Sequence, residues 1–109
     1  MPTTWSPEYE WGPGNGDTNY ELALCKWGLR TTLSAAAKLN ISQNDDPRLA
    51  SFQERLQAFA PFPRDARGFM VSRNITFKPP HSAASHLLPI IFAMEDVSIE
   101  DIAVSLDTW

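Results

Sequence analysis

A single cysteine, Cys25, leaves this 109-residue chain without an internal disulfide framework or a multi-thiolate metal site. Cys25 falls inside a helical pattern, where a small buried hydrophobe is expected rather than a reactive thiol. Positive charge is scarce as well: nine Lys or Arg against thirteen Asp or Glu give a formal net charge of -4. No basic stripe is available to neutralise phosphates, so a nucleic-acid partner is not expected. No apolar run is long enough to span a bilayer, and the opening residues lack the basic and apolar regions of a secretory signal, so no membrane partner is expected either. Histidine occurs twice, at His81 and His86. Their i, i+5 spacing is wrong for a helical pair gripping zinc and nothing completes the ligand set, so no metal is expected. Gly12-Pro13-Gly14-Asn15-Gly16 is glycine-rich but lacks the strand and the lysine of a phosphate-binding loop, and no cofactor is expected.

What the chain does contain is 43% hydrophobic residues, with four Trp, two Tyr and six Phe, the makings of one small domain with a modest core. Residues 1–16 are broken by Pro2, Pro7 and Pro13 and loosened by three glycines, and read as an aromatic, irregular loop. Residues 17–60 read as a helical hairpin. Thr18 and Glu21 have capping-box spacing at its start, and Tyr20, Ala23, Leu24, Trp27, Leu33, Ala36 and Ala37 mark the apolar face of a first helix ending near Asn40. Lys26, Arg30, Ser34 and Lys38 fall on the opposite side. Asp46 caps a second helix, with Pro47 in its first turn, Leu49, Phe52, Leu56 and Phe59 on one stripe, and Pro61 and Pro63 closing it after residue 60.

Residues 61–80 read as a β-hairpin excursion, with a turn at Asp65-Ala66-Arg67-Gly68 followed by short strands at Phe69-Met70-Val71 and Ile75-Thr76-Phe77. Residues 81–109 read as a second helical pair. Its first member, 81–94, is apolar nearly all round with Pro89 as a kink, and expects neighbours on more than one side. Its second, 98–106, is capped by Ser98 and has Glu100 and Asp101 in the first turn. An unaccompanied apolar helix is the physical reason to expect a partial domain able to self-associate through exposed faces. Sequons at Asn40-Ile41-Ser42 and Asn74-Ile75-Thr76 would suit passage through the secretory pathway.

The chemistry-bearing candidates sit mainly in the first loop. In Trp5-Ser6-Pro7-Glu8-Tyr9-Glu10-Trp11 carboxylates lie among aromatic rings, a setting in which desolvation can keep a carboxylic acid protonated and rings can stack on sugars. The plainer alternative is an exposed carboxylate beside a packed tryptophan. Asp17 is a helix cap or a sugar-hydroxyl acceptor. His81 and His86 are structural hydrogen-bonding histidines or sugar contacts.

Ser6-Pro7-Glu8-Tyr9, Asp17-Thr18-Asn19-Tyr20-Glu21-Leu22, Trp27-Gly28-Leu29 and His81-Ser82-Ala83-Ala84-Ser85-His86-Leu87-Leu88 together resemble blocks of glycoside hydrolase family 95, typified by inverting α-L-fucosidases. The resemblance implies a mainly α fold, a fragment of an (α/α)6 toroid comprising about two helical hairpins. It implies an oligosaccharide or glycan as partner, Glu8 as general acid, and Trp5, Trp11, Asp17, His81 and His86 around the sugar. Ser82 and Ala83 stand where the family has an Arg-His pair facing the sugar, which implies weaker or altered sugar binding. The group that activates water in the family has no identifiable counterpart here, so the chain alone is expected to be inactive, with a non-catalytic helical interaction or glycan-binding module as the alternative.

Overall fold

The computed structural model describes residues 18–70, 72–73 and 97–108, a mainly helical arrangement of three helices and a two-stranded antiparallel hairpin. The expected helix over 81–94 and the strand over 75–77 lie outside the described residues.

Helix α1 spans Asn19–Lys38. Thr18 precedes it in extended conformation, but its hydroxyl does not cap an amide as a capping box would require. Thr18 Oγ1 instead donates to the Glu21 carboxylate at 2.5 Å, so two side chains partner each other at the helix entrance. The far end is read from Asn40, whose φ of 57° is left-handed. The Asn40 and Ile41 amides turn back onto the carbonyls of Ala37 and Ala36, closing the last turn in a Schellman motif.

The buried face of α1 is rotated from the expected stripe. Asn19, Leu22, Ala23 and Lys26 point inward at i, i+3, i+4 and i+7, whereas Leu24 and Trp27 are 40% and 48% exposed. Lys26, expected on the solvent side, is buried, and its Nζ lies 4.6 Å from the centroid of the Phe62 ring. Its aliphatic stem packs while the ammonium faces an aromatic quadrupole, which offsets part of the desolvation. Cys25, expected to be buried, is exposed: it lies three residues after Leu22, at the edge of the inward face rather than within it.

Residues 39–47 turn the chain into α2, Arg48–Gln57. Within that turn the Asp45 carboxylate accepts from the Ser42 amide and hydroxyl, both at 2.7 Å. Pro47 already has helical dihedrals, so Asp46 holds the cap position, accepting the Arg48 amide at 3.0 Å and pairing with its guanidinium at 2.7 Å. The expected stripe holds: Leu49 is buried and Phe52, Leu56 and Phe59 are partly buried. The helix stops at Gln57, before residue 60, where the Ala58 amide splits between the carbonyls of Glu54 and Arg55. Pro61 disfavours helical geometry at Ala60 and offers no amide to the Gln57 carbonyl.

Strands β1, Arg64–Asp65, and β2, Gly68–Phe69, pair antiparallel with Arg64 opposite Phe69 and Asp65 opposite Gly68. The hairpin is therefore built around the Asp65-Ala66-Arg67-Gly68 turn itself rather than after it. The Asp65 carboxylate accepts the Arg67 amide at 2.8 Å, and Gly68, at φ +102°, carries the bend that lets the strands meet.

Helix α3, Ile99–Thr108, lies against β2. Its start matches the expectation: Ser98 Oγ accepts the Asp101 amide at 3.0 Å and Asp101 reaches back to the Ser98 amide at 3.4 Å. Among the described residues Leu22, Ala23, Phe62 and Phe69 form a core cluster, with Phe59 and Val97 packed against it. Phe62 and Phe69 meet edge to face at 6.0 Å between centroids. Each such buried side chain contributes roughly 1.5–3 kcal/mol.

Candidate functional site

Glu8, Trp5, Trp11, Asp17, His81 and His86 all lie outside the described residues. The described chain takes up immediately after Asp17, at a densely packed junction. Thr18 and Asn19 are fully buried. Asn19 Nδ2 donates to the Pro63 carbonyl at 3.0 Å and also to the Met70 carbonyl, while the Met70 amide donates to that same Pro63 carbonyl at 2.9 Å. One amide group thus fastens the start of α1 to both flanks of the hairpin. Burial, followed by the neighbouring Glu21 charge and hydrogen bond, raises the Tyr20 phenol above its ordinary range.

Two clefts open beside this junction. The first, of about 520 Å³, runs between α1 and the end of α2 and is lined by Leu22, Leu29, Ala58, Phe59, Cys25 and Arg55, among others. The second, of about 370 Å³, lies between α1, the hairpin and the start of α3, and is lined by Lys26, Phe59, Pro61, Phe62, Arg64, Phe69 and Asp101. In it Arg64 Nη1 donates to both oxygens of Asp101, at 2.6 and 2.7 Å. Burial alone would raise the Asp101 carboxyl, but hydrogen bonds from Arg64, the Ser98 hydroxyl linkage and the Ser98 amide outweigh it and hold the group below its ordinary value.

This second cleft, with cations, a carboxylate and aromatic walls, was not legible in the sequence. Arg64 and Asp101 stand 37 residues apart, and only the docking of α3 on the hairpin brings them together. Lys26 did leave a signal: it follows Leu22 and Ala23 at i+4 and i+3 and so shares their face. Among the described residues no group of three His, Cys, Asp or Glu side chains could hold a metal ion, and no helix is long and apolar enough to cross a membrane. No protein-family model, no curated protein and no solved structure matches the chain.

Proposed function

We propose that the chain is a partial catalytic domain of a glycoside hydrolase resembling the inverting α-L-fucosidases of family 95, and that it does not turn over substrate unaided. The observation that carries this reading is a helical hairpin, α1 with α2, accompanied by apolar side chains left open to solvent: Leu24 and Trp27 on α1, Val104 and Leu106 on α3. In a toroid of helical hairpins, neighbouring hairpins would cover faces of this kind. Glu8 is the proposed general acid, which would pass its proton to the glycosidic oxygen while water attacks the anomeric carbon from the opposite side. Trp5, Trp11, Asp17, His81 and His86 are proposed around the sugar. Inversion needs a second group about 6.5–9.5 Å from the acid to activate the water, and neighbouring hairpins would supply it.

The test is release of the aryl group from an aryl α-L-fucoside. No release is expected from the chain alone; release that disappears in Glu8→Gln would overturn the claim of inactivity and uphold the acid. A second reading, a non-catalytic helical interaction or glycan-binding module, is favoured by how closely α3 seats on the hairpin at Gly68 and Ser105. That module would melt cooperatively as a monodisperse species. The partial domain would bind a hydrophobic dye and associate as concentration rises.

A further inference from the structure

From the turn between α1 and α2 we infer that Asn40 is an attachment site for an asparagine-linked oligosaccharide, delivered from a lipid-pyrophosphate donor. The inference is independent of the glycosidase reading, since it uses none of the residues assigned there. Asn40-Ile41-Ser42 has the acceptor pattern, with no proline at its middle position. Such a triplet can carry a sugar only where the folded chain leaves room for a bulky polar group, and the turn meets that condition. Asn40, Ile41 and Ser42 are all exposed, beyond the end of α1 and apart from the residues lining either cleft. What Asn40 contributes to the fold is backbone: its φ of 57° and its amide bond to the Ala37 carbonyl close the helix, and both survive a substituent on Nδ2.

The neighbours of Asn40 favour a sugar there. Leu39 is 70% exposed and Ile41 41% exposed, so two large apolar side chains flank the asparagine in solvent. The first sugar rings would stand between them and screen that surface. Ser42 supplies the hydroxyl that a transferase reads two residues after the asparagine. In the folded turn this hydroxyl donates to the Asp45 carboxylate at 2.7 Å, and the Ser42 amide donates to the same oxygen. Transfer therefore belongs to the chain before this turn closes, in the compartment that holds the donor. Asn40 Nδ2 bonds to the anomeric carbon of the donor sugar as that carbon's bond to the pyrophosphate oxygen breaks. The lipid pyrophosphate leaves with the electron pair, and the amide gives one proton to the transferase.

The experiment takes the full chain from the cells that produce it, releases asparagine-linked sugars with a peptide:N-glycosidase in heavy-oxygen water, and maps tryptic peptides by mass spectrometry. Release hydrolyses the sugar-bearing amide to a carboxylate, which leaves one heavy oxygen at the former attachment point. Trypsin cuts after Lys38 and Arg48, which separates this triplet from Asn74-Ile75-Thr76. A heavy-oxygen label at Asn40 is expected. Ser42→Ala, produced in the same cells, should lose the label, and Ser42→Thr, which keeps the hydroxyl, should retain it. Removing the sugar from the folded chain should raise hydrophobic-dye fluorescence as Leu39 and Ile41 are uncovered, and unchanged fluorescence would overturn the screening. No label at Asn40, a label that persists in Ser42→Ala, or its loss in Ser42→Thr would each overturn the assignment.

Discussion

At the scale of single residues, the tightest constraint is at Gly68. A Cβ built there would stand 2.3 Å from Ser105 Oγ and 2.7 Å from Ser105 Cα, and the second of these is backbone that cannot swing aside. With a φ of +102° added, Gly68→Ala is strained both locally and across the α3 contact. It should lower unfolding free energy by at least about 2 kcal/mol in urea denaturation. A loss under a quarter of that would mean α3 does not seat as described. Asn19 is the second such position: Asn19→Asp exchanges a buried donor for a carboxylate facing the Pro63 and Met70 carbonyls. A loss of about 3 kcal/mol is expected, well beyond that of Asn19→Ala, because a buried charge is left without a partner.

At the scale of elements, helix ends carry much of the specification. Asn40→Ala keeps the helix but forces a β-carbon residue without a local hydrogen-bonding side chain into left-handed backbone, at a cost of about 1 kcal/mol, whereas Asn40→Gly should be neutral or stabilising. Paired urea melts distinguish the two. The start of α3 is pH-dependent. Asp101 titrates below its ordinary value near 3.8, so its contribution is fully present above that value and disappears as pH falls through the lower folded-state value. Arg64 is largely exposed, so water screens the pair and the loss on acidification should stay near or below about 1 kcal/mol. Acid titration of stability should flatten over this interval in Asp101→Asn, and an unchanged slope would remove Asp101 as the cause.

The same scale shows what the sequence makes legible. Caps and turns are chemistry of adjacent residues, so Asn40, Asp46 and Ser98 announce helix ends that the structure realises. Which face of a helix turns inward depends on partners far along the chain. For α1 that partner is Phe62, and it draws Lys26 in while Leu24 and Trp27 are left out. The hairpin shows a third case: its turn signal was sound, yet the strands use Arg64 and Asp65 before the turn because the Met70 amide is claimed by the Pro63 carbonyl. Of the proposed catalytic loop the described residues hold nothing, whereas the pairing of Arg64 with Asp101 had no local signature because the two meet only after α3 docks.

At the scale of the whole molecule, the described residues leave apolar surface open on α1 and α3 beside the cluster of Leu22, Ala23, Phe62 and Phe69. Sedimentation should reveal concentration-dependent association. Leu24→Glu combined with Val104→Glu and Leu106→Glu should move the population toward monomer, each change costing under about 0.5 kcal/mol of stability because it lies on the outer surface. Persistent association in that triple variant would place the contact elsewhere.

The Phe69 amide, deep beside Gly68, finds its acceptor in Ser105 Oγ, 36 residues further along. During synthesis on the ribosome, that amide has no intended companion until the later segment has been translated and has left the exit tunnel. The hairpin is thus completed only by contact with α3, and Ser105→Ala, which removes the acceptor, should leave the Phe69 amide open to faster hydrogen exchange.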